Sequence, residues 1–170
     1  MNVSTNMNPN PNILIINKDR RKKIKSNYGI PYECVELVRR FFNQYYGLTF
    51  PSIKDAYEMF KKINSLIYIV NHQVILFQTI SAPNIQNIQV SDILFWKRDK
   101  KNWNYGHVAI IVYSDKEKTV IAQQNETNSL EVYNTTKIIQ EMNRKTGPFL
   151  GLKRLPNWIS KPGMIYVKII

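Results

Sequence analysis

Apolar side chains recur at helical spacing between Pro31 and Gly47, and beyond residue 65 that period gives way to short runs rich in Ile, Val, Phe and Tyr. Cys34, Val38, Phe41, Phe42 and Tyr45 fall on one face of a helix that begins after a proline and stops at a glycine. Ser52, with Asp55 three residues later, resembles a capping box, and Ile53, Ala56, Tyr57 and Phe60 mark one face of a second, shorter helix. The later runs, at residues 66–70, 74–77, 93–96, 107–113, 119–124, 130–133, 148–155 and 164–169, are separated by turn residues and read as strands, with a small helix at 135–143. Links this short favour hairpins over crossover helices. The chain therefore predicts an α+β domain, with N-terminal helices packed on a mainly antiparallel sheet.

With 170 residues, 44% of them hydrophobic, the chain is long enough for one domain with a sizeable core. Residues 1–26 are rich in Asn, Pro and Lys without sustained periodicity and predict a flexible basic arm, leaving 27–170 as the folded domain. Lys and Arg outnumber Asp and Glu 24 to 12, a net charge of +12, part of it in Lys18, Arg20, Arg21, Lys22, Lys23 and Lys25. That net charge attracts an anionic partner, whether nucleic acid, membrane surface or acidic glycopolymer, and the run itself reads as a solvated arm ahead of a nuclear-import or nucleic-acid patch. Ile13-Leu14-Ile15-Ile16 is too short for the apolar core of a signal peptide and lacks a basic segment before it, and no later run approaches a membrane span. The expectation is a soluble protein, cytoplasmic or virion-associated, with no signal peptide and no membrane span.

The single cysteine excludes an internal disulfide and a multi-cysteine zinc site. Cys34 falls in the first turn of the first helix, where unpaired N–H groups and the positive end of the dipole favour a thiolate. A lone cysteine on an apolar helix face is more often core filler, so a partner must decide its role. Of the two histidines, His72 lies among polar residues between strands and reads as an exposed turn. His107 instead opens the run Val108-Ala109-Ile110-Ile111-Val112, where a polar ring needs a hydrogen-bond partner or a task. A hairpin turning at residues 114–117 and centred near Asp115 puts His107 roughly opposite Gln123, with Gln123 and Asn125 on one face. A nucleophile on a helix, a base on a strand and a neighbouring amide to aim the base have the logic of a thiol hydrolase. Glu36 and Arg40, four residues apart, read as a modest surface ion pair. Trp96, Trp103 and Tyr105 read as packing, and Lys97, Arg98, Lys100 and Lys101 as a solvated basic loop.

Five stretches resemble, in order, the blocks of the CHAP domain family, and within it the glutathionylspermidine amidases: Tyr32-Glu33-Cys34-Val35-Glu36-Leu37-Val38-Arg39-Arg40, Ser91-Asp92-Ile93-Leu94-Phe95-Trp96, Gly106-His107-Val108-Ala109-Ile110-Ile111, Ile121-Ala122-Gln123-Gln124-Asn125 and Phe149-Leu150-Gly151-Leu152-Lys153-Arg154. The resemblance implies a papain-like fold. It also implies amide hydrolysis through a thioester on Cys34, with His107 as base, Gln123 and Asn125 orienting the ring, and no metal or organic cofactor. Backbone N–H groups at the start of the helix, that of Cys34 included, are the expected oxyanion hole. The implied substrate is a small peptide-amine amide, such as glutathionylspermidine, or a peptide.

Two positions depart from the family. Gln123 stands where an acid is usual, so it can orient an imidazole but cannot stabilise an imidazolium with a full charge. Glu126 is an alternative acid, though alternation sends it to the opposite face. Glu33 replaces the usual glutamine before the nucleophile, and an inward carboxylate there raises the thiol's pKa. Two other functions fit the same residues: a peptidoglycan-cleaving endopeptidase or amidase, and a weakened CHAP-like binding protein working through its basic surface.

Overall fold

In the computed structural model, which describes residues 13–19, 26–99, 101, 104–145 and 148–170, the chain runs β1 (Ile13–Ile16), α1 (Cys34–Tyr46), β2 (Leu48–Thr49), α2 (Ala56–Lys62), β3 (Ser65–Tyr68), β4 (Val74–Leu76), β5 (Gln78–Ser81), β6 (Ile93–Trp96), β7 (His107–Ser114), β8 (Lys118–Ala122), β9 (Leu130–Asn134), α3 (Ile138–Lys145), β10 (Phe149–Arg154) and β11 (Tyr166–Ile169). The α+β class expected from the sequence is what these elements build. Six strands form an antiparallel sheet in the order β5-β10-β6-β7-β8-β9, joined by a small β2-β3-β4 sheet and a parallel β1-β11 pair.

Helix α1 buries Leu37, Val38, Phe41 and Phe42 completely and ends at Gly47, whose left-handed φ of 64° lets its N–H return to Asn43 O. The cap of α2 is Asp55 rather than Ser52. The Asp55 carboxylate accepts the Glu58 N–H at 2.9 Å and is also held by Arg98, a charge that a serine hydroxyl could not answer. Along β7 alternation sends Val108, Ile110 and Val112 to the core shared with α1 and α2, and Ala109 and Ile111 to a second core closed by Ile138 and Met142 of α3. The sheet is thus covered on both faces, which is why β7 reads as one unbroken apolar run. The second and fifth family-like blocks meet where Arg154 donates bidentately to Asp92 at 2.7 and 2.8 Å in the interior.

The expected flexible arm is corrected over residues 13–16. Ile13–Ile16 pair in parallel with β11, and Leu14 and Ile16 are wholly buried in the main core. Four apolar residues show no period in the sequence, yet β11 supplies their backbone with a ladder and Leu14 and Ile16 join the main core. The basic run at Arg20–Lys25 lies outside the described residues, and so does Trp103. No helix among the described residues is long and apolar enough to cross a membrane.

Candidate active site

Cys34 is the first residue of α1 and is almost buried, at 8% exposure. Its sulfur faces the backbone N–H groups of Val108, Val35 and Cys34 itself, so the start of α1 and the start of β7 converge on it. Burial pushes the thiol up to about 12; the Glu33 carboxylate adds to the rise, and the three N–H groups oppose it. The thiolate expected from the helix terminus is therefore corrected for the free protein, because loss of water outweighs the helix's N–H groups. His107 is likewise 2% exposed, and burial lowers its pKa to about 4 against the opposing pull of the Gln123 bond and the Glu131 charge. In the free site, burial thus favours the neutral thiol and the neutral imidazole.

Gly106 delivers the histidine. Its φ is 75°, and a Cβ there would stand 2.9 Å from Trp96 O and 3.1 Å from Tyr57 N, so the chain passes too close to α2 and β6 for any side chain. The Tyr57 N–H donates to Tyr105 O at 3.2 Å, docking the start of α2 on the same turn. Trp96, the cross-strand partner of His107, lies 5.6 Å from it between ring centroids, and Phe149 backs the indole at 5.4 Å.

Gln123 and His107 meet, although not in the register expected. The turn falls later than expected, with the Asp115 N–H donating to Lys118 O, and the bulge between Ile111 and Tyr113 recovers one residue, so Ile110 faces Ala122 and Gln123 reaches the ring diagonally from just past the end of β8. Its Nε2 donates to Asn128 O at 2.8 Å, which fixes the amide and turns Oε1 toward the ring. His107 Nε2–H then donates to Gln123 Oε1 at 2.9 Å, so Nδ1 carries the lone pair. Asn125 follows a different path: its φ of 64° ends the alternation, and its amide donates to Glu33 Oε2 at 2.9 Å. Glu126 Oε1 lies 3.9 Å from His107 Nδ1. His72 is exposed in a turn, as its polar neighbours suggest.

The surface ion pair expected of Glu36 and Arg40 is instead buried, at 2% and 1% exposure. Arg40 donates to Glu36 at 2.9 Å, to Ile15 O at 2.6 Å and to Gln124 Oε1 at 3.1 Å, while Ser26 donates to Glu36 at 2.7 Å. Helical spacing alone cannot tell this cluster from a solvated pair, because the groups that bury it come from β1 and from the end of β8.

The chain belongs to the CHAP domain family, whose model matches residues 25–125, more than half of its length, and so takes in Cys34, His107, Gln123 and Asn125. Two curated relatives, the bifunctional glutathionylspermidine synthetase/amidase of Escherichia coli (strain K12) and that of Shigella flexneri, are each 31% identical to it over 110 residues. The alignment covers 64% of this chain and 18% of each relative, so the chain spans under a fifth of their length. Family and relatives together support a hydrolytic amidase or peptidase.

Proposed function

We propose that the protein is a thiol-dependent amidase in which Cys34 is the nucleophile and His107 the base. The observation that carries the reading is the Gln123 bond to His107 Nε2, which leaves Nδ1 as the proton acceptor at the start of β7, where Val108 also meets the sulfur. Cys34 Sγ attacks the carbonyl carbon while Nδ1 takes the thiol proton, and N–H groups at the start of α1 face the oxyanion. Nδ1 returns that proton to the departing nitrogen, the C–N bond breaks, and a thioester remains on Cys34. Water, deprotonated by Nδ1, then attacks the thioester and releases the acid and the thiol. Asn125 donates to the Glu33 carboxylate, the charge that adds to the rise of the thiol's pKa.

The proposed substrate is an amide joining a small peptide to an amine, of the glutathionylspermidine kind, because the relatives carry that amidase in their names. Cleavage of such an amide, with muropeptides left intact, is the expected outcome of a paired substrate screen. Cleavage of muropeptides alone would move the reading to the cell wall. No cleavage, with a Cys34 inert to iodoacetamide, would leave a binding protein.

The pH dependence follows from the ring. A protonated imidazole has no lone pair, so activity is present above its folded-state pKa of about 4 and is lost as pH falls through that value. The expected kcat/KM profile is therefore level across about pH 6 to 8, with its acid limb near 4 rather than near the ordinary 6.5. Gln123→Glu places a charge on Nε2–H and moves the limb up by about one unit or more, while Gln123→Ala lowers kcat about 10- to 100-fold. A wild-type limb near 6.5 that Gln123→Glu leaves in place would remove Gln123 from the mechanism.

A further inference from the structure

Gln124, next to the residue that holds the histidine, turns the other way into the interior and is 1% exposed. Its Nε2 donates to Glu33 O at 3.0 Å and to Glu36 Oε2 at 2.9 Å. Its Oε1 accepts from Arg40 Nη2 at 3.1 Å and from the Asn17 N–H at 2.9 Å. Both hydrogens and both lone pairs of the amide are thereby used, so the side chain has one orientation. The Glu33 carbonyl belongs to the residue just before Cys34, at the cap of α1, and Gln123 leaves the adjacent backbone to bind His107. Two consecutive glutamines therefore join the two halves of the site: Gln123 grips the base and Gln124 grips the helix that bears the thiol.

We infer that Gln124 is a positioning residue for catalysis, setting where Cys34 stands relative to His107 by clamping the start of α1 to the end of β8, with β1 anchoring the clamp through the Asn17 N–H. The inference rests on the amidase reading above. Nothing about Gln124 touches the reacting atoms; it acts through Glu33 and Glu36. A misplacement of about 1 Å between nucleophile and base costs on the order of 100-fold in rate, so a clamp at this point reaches turnover without altering the site's chemistry.

Gln124→Met keeps the volume and removes the four bonds. The expected result is a kcat lower by about 10- to 100-fold with KM changed less than about threefold, and a changed pH profile for alkylation of Cys34 by iodoacetamide. Met142→Ala, which opens a cavity in the other core beneath α3, supplies a variant destabilised without touching the clamp, and it should keep kcat within about twofold when assayed well below its Tm. Asn17→Pro deletes the backbone donor to Gln124 together with the buried Asn17 side chain, so Asn17→Ala, which keeps the N–H, is its control. Relative to that control, Asn17→Pro should give a smaller loss in the same direction, and it decides the matter if Gln124→Met does not fold. The inference is overturned if these variants keep wild-type kcat and alkylation profile, or lose no more kcat than Met142→Ala at equal loss of Tm. Should the wild type cleave no amide, the amidase reading fails by itself. The alkylation profiles of Gln124→Met and Asn17→Pro then decide the positioning role: a changed profile supports it, and an unchanged one overturns it.

Discussion

Cys34→Ala should abolish turnover, by at least about four orders of magnitude, while costing no more than about 1 kcal/mol of stability. The loss in rate is that large because no other thiol exists in the chain to replace it. The cost in stability is small because the sulfur leaves only a minor void and takes no charge with it. His107→Ala should be as damaging to rate, since the thiol at about 12 cannot ionise at neutral pH without a group to take its proton. It should also cost about 1–3 kcal/mol, because the Gln123 oxygen loses its donor in the interior. His72→Ala, in its exposed turn, should leave turnover unchanged. Steady-state kinetics and thermal melts of the three variants check this; equal effects of the two histidine changes would undo the assignment of the base.

Arg40→Ala is expected to be the most destabilising single change, by about 3–5 kcal/mol, read as a fall in Tm of about 10 °C or more. Removing the guanidinium leaves the Glu36 carboxylate in the core without its cation, takes the Arg40 donor from Ile15 O and removes one of the two donors to Gln124 Oε1. The double change Glu36→Leu with Arg40→Met should recover much of the loss, because two apolar side chains leave no charge to strand. A solvated helical pair would instead be worth about 0.3–0.5 kcal/mol, so a loss below about 1 kcal/mol for Arg40→Ala would place the pair at the surface.

Much of this was legible in the residues. The spacing of Val38, Phe41 and Phe42 marks the inner face of α1, and the run from Val108 to Val112 marks a strand buried on both sides. The nearness of Gln123 to His107 follows from a hairpin between them, although the turn lies later than its residues suggest and the contact is diagonal. What escaped was whatever depends on a distant partner. Ile13–Ile16 become a strand only because β11 runs beside them, and Glu36 with Arg40 is buried only because β1 and Gln124 close over the pair. The sign of the helix dipole at Cys34 can be read from the sequence, but the water excluded around the thiol cannot, and that exclusion sets its protonation. Gln124 carried no signal of its own beyond its place between Gln123 and Asn125.

In the proposed mechanism, amide cleavage passes through a thioester on Cys34. The direct measurement is intact-mass spectrometry of the protein quenched in acid during turnover of a peptide-amine amide, followed by hydroxylamine treatment. The expected result is a mass increment equal to the acyl portion of the substrate, located on the peptide containing Cys34, released by hydroxylamine and absent from Cys34→Ala. Turnover that proceeds with no adduct on that peptide, and that persists in Cys34→Ala, would contradict it.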